Sequence, residues 1–419
     1  MTTPIARTPL HLRDAPWLSS PAARRVLELL NGDGEEARVI GGAVRNALIG
    51  IAAGDLDVAT TAEPDEVMRR AAQAGIRTVP TGVAHGTVTL LVDGQPFEVT
   101  TLREDVETDG RHARVVFGRD WARDAARRDF TMNALSVSID GVVHDYCGGV
   151  ADLAARRVRF IGEAARRIAE DYLRILRFFR IHAIYGEGEC DAEGFSACIE
   201  GRAGLLTLSA ERIRAETFKL MVAPRAGEVL TEMNDAGLLQ MILAGVAYLP
   251  SFDAMVRLEQ ASGEGPDALR RLVALAAWLP EDAGRLSQRL RLSNAEASRL
   301  ESMADGWWRL GAMDEPTAKR LLYRLGPDRY ADRAMLAMAR AGETTDALQA
   351  LASLPSRWTA PLFPLKAADF IARGLTPGPR LGAALKAAED RWIETGFPES
   401  QGALEALVTA AMQENKRAE

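Results

Sequence analysis

RVIGGAVRNALIGIAAGDLDVAT, residues 38–60, runs from a short apolar strand through a Gly-Gly turn and an arginine to two aspartates around one leucine. Val39 and Ile40 suit a buried strand. Gly41-Gly42 lets the backbone come close enough for its N–H groups to face phosphate oxygens, and Arg45 sits one turn into the helix that follows. Asp55 and Asp57, at i and i+2 of a strand, would project to one face, a costly like-charge arrangement unless divalent cations lie between them. Taken singly, a Gly-Gly pair reads as a turn and an Asp-x-Asp as a solvated strand edge. Joined in one strand-turn-helix-strand unit, they point to a site for a nucleoside triphosphate and its metal ions.

Outward from this unit, strand and helix signals alternate to about residue 160. A helix is expected from Pro64, after the capping context of Thr61-Ala62-Glu63, to Ala74, with Gly75 ending it. The runs Thr87–Val92 and Phe97–Leu102, joined by Asp93-Gly94, form a hairpin signal. Within it Glu98 alternates between Phe97 and Val99; it reads as an ordinary strand glutamate or as a third carboxylate. A polar loop is expected from Arg103 to Arg111, and a second hairpin from Ser136 to Tyr146 around Asp140-Gly141. This part is a mixed α/β domain. Beyond about Arg166 the chain turns alanine- and leucine-rich with helical periodicity, as in Ala210–Val222, Asp267–Trp278, Ala295–Leu310 and Gly382–Glu394.

A chain of 419 residues is long enough for two or more domains. No apolar run approaches bilayer length and the amino terminus lacks a signal-peptide core, so a cytoplasmic protein without a membrane partner is expected. Cys147, Cys190 and Cys198 are too few and scattered for a disulfide framework or a cysteine-based zinc site, which suits a reducing compartment. Net charge is −7, yet from Arg111 to Arg180 fourteen arginines and no lysines stand against nine acidic residues. Arginine's planar fork suits phosphates and base edges, so this local field favours nucleotide or nucleic acid, with surface ion pairing the plainer reading for Arg156, Arg157, Arg166 and Arg167. Because no histidine follows His182, the helical half cannot build a His-Asp hydrolase site.

EDYLRILRFFRIHAIY, residues 170–185, reads as one helix with Tyr172, Ile175, Leu176, Phe179 and Ala183 on its apolar face. Asp171, Arg174, Arg177 and Arg180 step by three across the other side. An exposed Asp171–Arg174 pair is the simple account. Three arginines against one aspartate, with Leu173 and Ile181 interleaved, fit a second account in which acceptor and donors read the Watson–Crick edge of a base. In RRDFTMNA, residues 127–134, the Arg-Asp and Asn suit phosphate and ribose hydroxyls, or Asp129 and Thr131 start a helix.

In this order the motifs resemble the class II tRNA nucleotidyltransferases, the CCA-adding enzymes, and the related bacterial poly(A) polymerases. Gly41–Arg45 with Asp55-Leu56-Asp57 is similar to the phosphate and metal motif, Arg127–Ala134 to the ribose motif, and Asp145–Leu153 to the hinge motif. Glu170-Asp171-Tyr172-Leu173-Arg174 matches the family's base template, and Ser209–Ile213 resembles the neck motif. Asn46 departs from the family's usual aspartate. Arg103–His112 resembles the loop used in switching to the final A, and Thr81–Val88 looks like the CCA form rather than the poly(A) form.

The resemblance implies an α+β nucleotidyltransferase head, a mixed sheet with helices, followed by an all-α neck, body and tail. The expected divisions are a lead-in at 1–34, head at 35–155, neck at 156–225, body at 226–340 and tRNA-binding tail at 341–419. It implies transfer of CMP, CMP and AMP from CTP and ATP to the 3′ end of tRNA, gripped by its acceptor and T arms, without a nucleic-acid template. Two Mg²⁺ ions on Asp55 and Asp57 would serve the chemistry. Gly41, Gly42 and Arg45 would hold the triphosphate, and Arg128, Asp129 and Asn133 the sugar and α-phosphate. Asp171 and Arg174 would read the base, supported by Arg177 and Arg180.

Overall fold

The computed structural model describes residues 10–109, 112–342 and 344–417, with backbone alone at 84, 104–109, 112–115 and 415–417. The strands are β1 (Ala37–Ile40), β2 (Asp57–Thr60), β3 (Arg77–Gly82), β4 (Thr87–Val92), β5 (Gln95–Thr101), β6 (Arg103–Asp109), β7 (His112–Phe117), β8 (Ser136–Ser138) and β9 (Val143–His144). Seven form one sheet in the order β3-β4-β5-β2-β1-β8-β9. Its one parallel pair is β2 with β5, so the sheet is mixed. All four residues of β1 are buried. The β4–β5 hairpin forms as expected: Asp93 and Gly94 both take positive φ, +51° and +79°, the type I′ turn that matches strand twist.

One expectation fails in this head. The stretch from Arg103 is not a loop but strand β6, paired antiparallel with β7 in a separate ribbon. Polar composition reads as loop, whereas a partner strand satisfies the same backbone groups. Gly110 and Arg111, at the end of that expected loop and within the likeness to the switching loop, lie outside the described residues.

Helices of the first compact unit, residues 1–242, are α1 (Pro21–Leu30), α2 (Gly42–Leu48), α3 (Pro64–Gln73), α4 (Trp121–Ala126), α5 (Gly149–Ala154), α6 (Ala164–Glu170), α7 (Leu173–Tyr185), α8 (Ala192–Gly201), α9 (Ala210–Met221) and α10 (Ala226–Asp235). A last short helix, Leu238–Leu243, reaches the boundary with the second unit. The carboxylate of Asp145 accepts from the N–H groups of Cys147, Gly149 and Val150 at 2.9–3.1 Å, which starts α5. Gly149 packs so closely that a Cβ there would lie 2.2 Å from the Thr131 carbonyl oxygen. Asp152, fully buried, accepts from the Thr131 hydroxyl at 2.7 Å and from Arg157 and Arg159 at 2.9 Å. Phe130, Phe160 and Phe178 then pack in series, with centroids 4.9 and 5.3 Å apart, the first pair tilted and the second stacked. Burial of each such ring contributes about 1.5–3 kcal/mol, and the series fixes α7 against residues 127–134.

The second unit, residues 243–419, is helical in its described residues. Within it Asp332, nearly buried, receives both Arg270 and Arg299. One apolar cluster gathers Leu310, Leu322 and Tyr330, another Phe370, Ala388 and Val408. Among the described residues no helix is long and apolar enough to cross a membrane.

Candidate active site

Gly41 takes φ +70°, ψ −124°, a conformation open to glycine, and turns β1 into α2. One turn on, Arg45 is buried, 7% exposed. Its Nη1 donates to Asn133 Oδ1 at 2.5 Å and its Nη2 to the Tyr185 hydroxyl at 2.5 Å, while the guanidinium lies 3.7 Å from the Tyr185 ring centroid. Asn46, standing where the resemblance expects aspartate, still accepts from Arg45 Nε and Nη2 at 3.2 and 3.0 Å. The hydrogen bond survives and the countercharge does not. Burial first, and the neighbouring Arg180 charge, weaken the hold of Arg45 on its proton, so an anion in the cleft would relieve it.

Gly41, Arg45 and Asn133 line a cleft of about 470 Å³. Eleven of the twelve residues expected to form the site line it: Gly41, Gly42, Arg45, Asp57, Arg128, Asp129, Asn133, Asp171, Arg174, Arg177 and Arg180. Its lining carries seven arginines against three aspartates, a cation excess that suits a polyphosphate.

Asp55 is the twelfth and does not line the cleft. It sits in an exposed bend, and β2 begins only at Asp57, so the pair does not share a face through strand alternation. The partner of Asp57 comes from across the sheet. Parallel pairing sets Asp57 opposite Glu98, both at the exposed end of the pairing, which favours the third-carboxylate reading of Glu98. Partial desolvation, then the charges of Glu98 and Asp55, push the Asp57 carboxyl above its ordinary range. This carboxylate-rich edge suits a hard divalent cation, although the three side chains do not bring their oxygens within 4.8 Å of one another.

At the other end, residues 170–185 are two elements rather than one helix. α6 stops at Glu170, Asp171 is extended at φ −157°, ψ 106°, and α7 starts at Leu173. The Asp171 carboxylate accepts from Leu173 N–H at 3.1 Å, a local bond that competes with helix continuation. Tyr172, expected on the apolar face, lies in the link. The expected Asp171–Arg174 pair is replaced by two others: Arg174 Nη1 donates to Glu170 at 2.6 Å and Arg212 Nη2 to Asp171 at 2.7 Å. Leu173 and Ile181, interleaved among the charges, are buried and line the cleft.

Asp129 is held by Arg177 Nε and Nη2 at 2.8 and 2.5 Å, by Phe130 N–H at 2.8 Å and by Asn133 Nδ2 at 3.3 Å. Burial opposes its charge, but Arg177 prevails and the carboxyl sits below its ordinary range. These bonds fix Asp129 together with Asn133 and Arg177 in the lining of the cleft. Arg180 donates to Glu216 at 2.5 Å. Arg127 and Arg128 both bind the buried Asp124, at 2.7 and 2.9 Å.

Sequence reasoning passed over Arg212, Tyr185, Asp124 and Glu216. Asp124 was accessible, three and four residues before its arginines on a helix. Arg212 lies in the Ser209–Ile213 motif without any local sign of a partner 41 residues back. Tyr185 is 140 residues from Arg45 and had no signal.

Two family models match the chain: the poly A polymerase head domain over residues 37–159, and the probable RNA and SrmB-binding site of polymerase A over 193–249. The mitochondrial CCA tRNA nucleotidyltransferase 1 of Mus musculus is 34% identical over 390 residues, 91% of this chain and 88% of that protein. The CCA-adding enzyme of Levilactobacillus brevis is 32% identical over 404 residues, covering 92% and 97%. Among solved structures, the Bacillus stearothermophilus CCA-adding enzyme in complex with CTP superposes with a TM-score of 0.72 at 24% identity, over 95% of this chain and all of that one. The Thermotoga maritima CCA-adding enzyme complexed with tRNA gives 0.66 at 18% identity, over 92% and 94%.

Proposed function

The chain belongs to the family of CCA-adding tRNA nucleotidyltransferases and poly(A) polymerases, and from that premise we propose that it adds CMP, CMP and AMP, taken from CTP and ATP, to the 3′ end of tRNA without a nucleic-acid template. The observation that carries this reading is one cleft lined both by Asp57 and by Asp171, Arg174 and Arg212. Chemistry and choice of nucleotide then share one cavity.

In this reading Arg45, fixed by Asn133, Asn46 and Tyr185, holds the triphosphate that CTP and ATP have in common, beside Gly41 and Gly42. Arg128, clamped by Asp124, contacts phosphate; Asn133, oriented by Asp129, serves the ribose. Asp171 offers a carboxylate and Arg174 a guanidinium to the base edge, each preset by a neighbour of opposite charge, while Arg177 and Arg180 buttress them. Presetting removes the entropy of ordering long side chains upon binding. Asp55 and Asp57, with Glu98 beside them, would hold two Mg²⁺ ions, which when bound acidify the primer hydroxyl and stabilise the leaving pyrophosphate. We assign residues 35–155 to the head, 156–225 to the neck, 226–340 to the body and 341–419 to the tail, with the helical part gripping the acceptor and T arms by shape and backbone. We place the protein in the cytoplasm, a reading supported by its three unpaired cysteines.

The test is product length on tRNA lacking its 3′-terminal CCA. CTP alone should add two residues, CTP with ATP should complete three and stop, and ATP alone should add nothing. A long A tract from ATP would make the protein a poly(A) polymerase. Bound tRNA without incorporation of either nucleotide would make it an inactive RNA-binding protein. Asp55→Ala and Asp57→Ala should each abolish incorporation of both nucleotides while tRNA binding persists; full turnover in either would remove that residue from the metal site.

A further inference from the structure

Behind the active-site face of α7, its last turn meets the α7–α8 connection and α10. There one ring nitrogen of His182, the thiol sulfur of Cys190 and a carboxylate oxygen of Glu232 all lie within 4.8 Å of one another. The three come from different elements: His182 from α7, Cys190 from the link that precedes α8, and Glu232 from α10. His182 is 1% exposed. Its Nδ1 has no hydrogen-bond partner, and its Nε2 has only long contacts, to the Gly188 carbonyl oxygen at 3.3 Å and to Arg225 Nη1 at 3.4 Å. Arg225 is itself occupied by the carbonyls of Gly186 and Gly188 and by Glu228. An imidazole carries a proton on one nitrogen and a lone pair on the other, and a buried one left so poorly partnered is costly.

We propose that His182, Cys190 and Glu232 bind one divalent transition-metal ion of the zinc class as a structural site, separate from the catalytic carboxylates. Thiolate, imidazole and carboxylate are the donors that zinc combines in three-ligand sets, and Mg²⁺ does not take thiolate. Metal–ligand bonds of about 2.0–2.3 Å place tetrahedral donors about 3.3–3.8 Å apart, so a cluster whose donors lie within 4.8 Å has to contract by at most about 1.5 Å, within reach of side-chain rotation. Cys190 and Glu232 are half-buried, which leaves a route in and a fourth position for water. The Cys190 thiol donates to Glu232 in the metal-free protein, and its proton departs to solvent as the sulfur takes the ion. Scattered cysteines argue against a cysteine-only site, but this set takes a single one.

The site ties the end of α7 to α10. Tyr185, one turn on from His182, is the residue that stacks on Arg45, so the metal stiffens a support of the nucleotide cleft without touching it.

Untagged, metal-stripped full-length protein in saturating Mg²⁺ is titrated with Co²⁺. The expected result is a thiolate-to-cobalt charge-transfer band that grows to one equivalent, is discharged by Zn²⁺, vanishes in Cys190→Ser and persists in Cys147→Ser. Glu232→Gln, at a half-buried position that tolerates an isostere, should weaken Co²⁺ binding by tenfold or more, on the order of 10–100-fold losses seen around metal sites. Zn²⁺ should raise the melting temperature of the wild type and not that of Cys190→Ser. No band in the folded wild type, a band that survives Cys190→Ser, or unchanged affinity in Glu232→Gln would each overturn the proposal.

Discussion

Replacing Tyr185 by phenylalanine removes one oxygen and tests how Arg45 is held. The hydroxyl accepts from Arg45 Nη2 at 2.5 Å in a buried setting, while the ring stacks on the guanidinium at 3.7 Å. In Tyr185→Phe the stack stays, Nη1 keeps Asn133, and Nη2 keeps only Asn46 at 3.0 Å. Hydrogen bonds to charged groups contribute about 1.5–3 kcal/mol, and the surviving partner places this loss at the low end, about 1.5 kcal/mol. That figure is the expected fall in unfolding free energy from urea titration. It is also the ceiling on the cost of reordering Arg45 when nucleotide binds, a rise in KM of up to roughly tenfold. Tyr185→Leu removes the stack as well, a further contribution of about 2 kcal/mol in a desolvated site, and should exceed the first variant in both measures. Because Arg45 is assigned to the triphosphate, KM for CTP and ATP should rise by the same factor. A variant that is less stable but unchanged in both KM values, or one that separates CTP from ATP, would refute the assignment.

Arg212→Met releases Asp171 and should blur selection of CTP and ATP over UTP and GTP by about tenfold, the scale of one lost bidentate contact, with overall tRNA affinity unchanged; misincorporation kinetics read it. Arg177→Met leaves Asp129 buried without its countercharge, at a cost of about 3–5 kcal/mol near neutral pH. The sign of its pH dependence follows. In the wild type the Asp129 carboxyl lies below its ordinary range, so its contribution is present at neutral pH and lost only as pH falls through that lowered value. In the variant the countercharge is gone and only the Phe130 N–H and Asn133 bonds still oppose burial, so the carboxyl rises from its wild-type position and the stability gap to the wild type should narrow as pH falls, which urea midpoints measured across the acid range read. Gly149→Ala brings a methyl group to 2.2 Å from the Thr131 carbonyl oxygen and should lose about 1–3 kcal/mol with a lower melting temperature.

Local rules account for what was legible in the chain. The Asp93-Gly94 hairpin, the helix from Pro64, the buried β1 and the glycine turn at Gly41 all follow from turn chemistry and periodicity within a few residues. The order of the motifs likewise gathered most of the cleft's lining before any coordinates. Failures occurred where a distant partner or a short competing bond decided the outcome. Asp171 bonds the Leu173 N–H and ends a helix that periodicity would have continued. Residues 103–109 pair as a strand despite a loop-like composition.

By itself, the sequence determined the class of the protein: an α+β head with a glycine turn, an arginine and two aspartates, followed by a helical part with the Glu-Asp-x-x-Arg motif near its start. The tertiary structure decided which charges face one another. It set Asp57 against Glu98, Arg174 against Glu170, Arg212 against Asp171 and Tyr185 beneath Arg45, and it drew His182, Cys190 and Glu232 together. Secondary structure depends on neighbours a few residues apart, which one chain displays openly. An ion pair or a metal cluster depends on which surfaces the core brings into contact, and that becomes defined only when burial of apolar residues such as Phe130, Phe160 and Phe178 fixes the elements against each other.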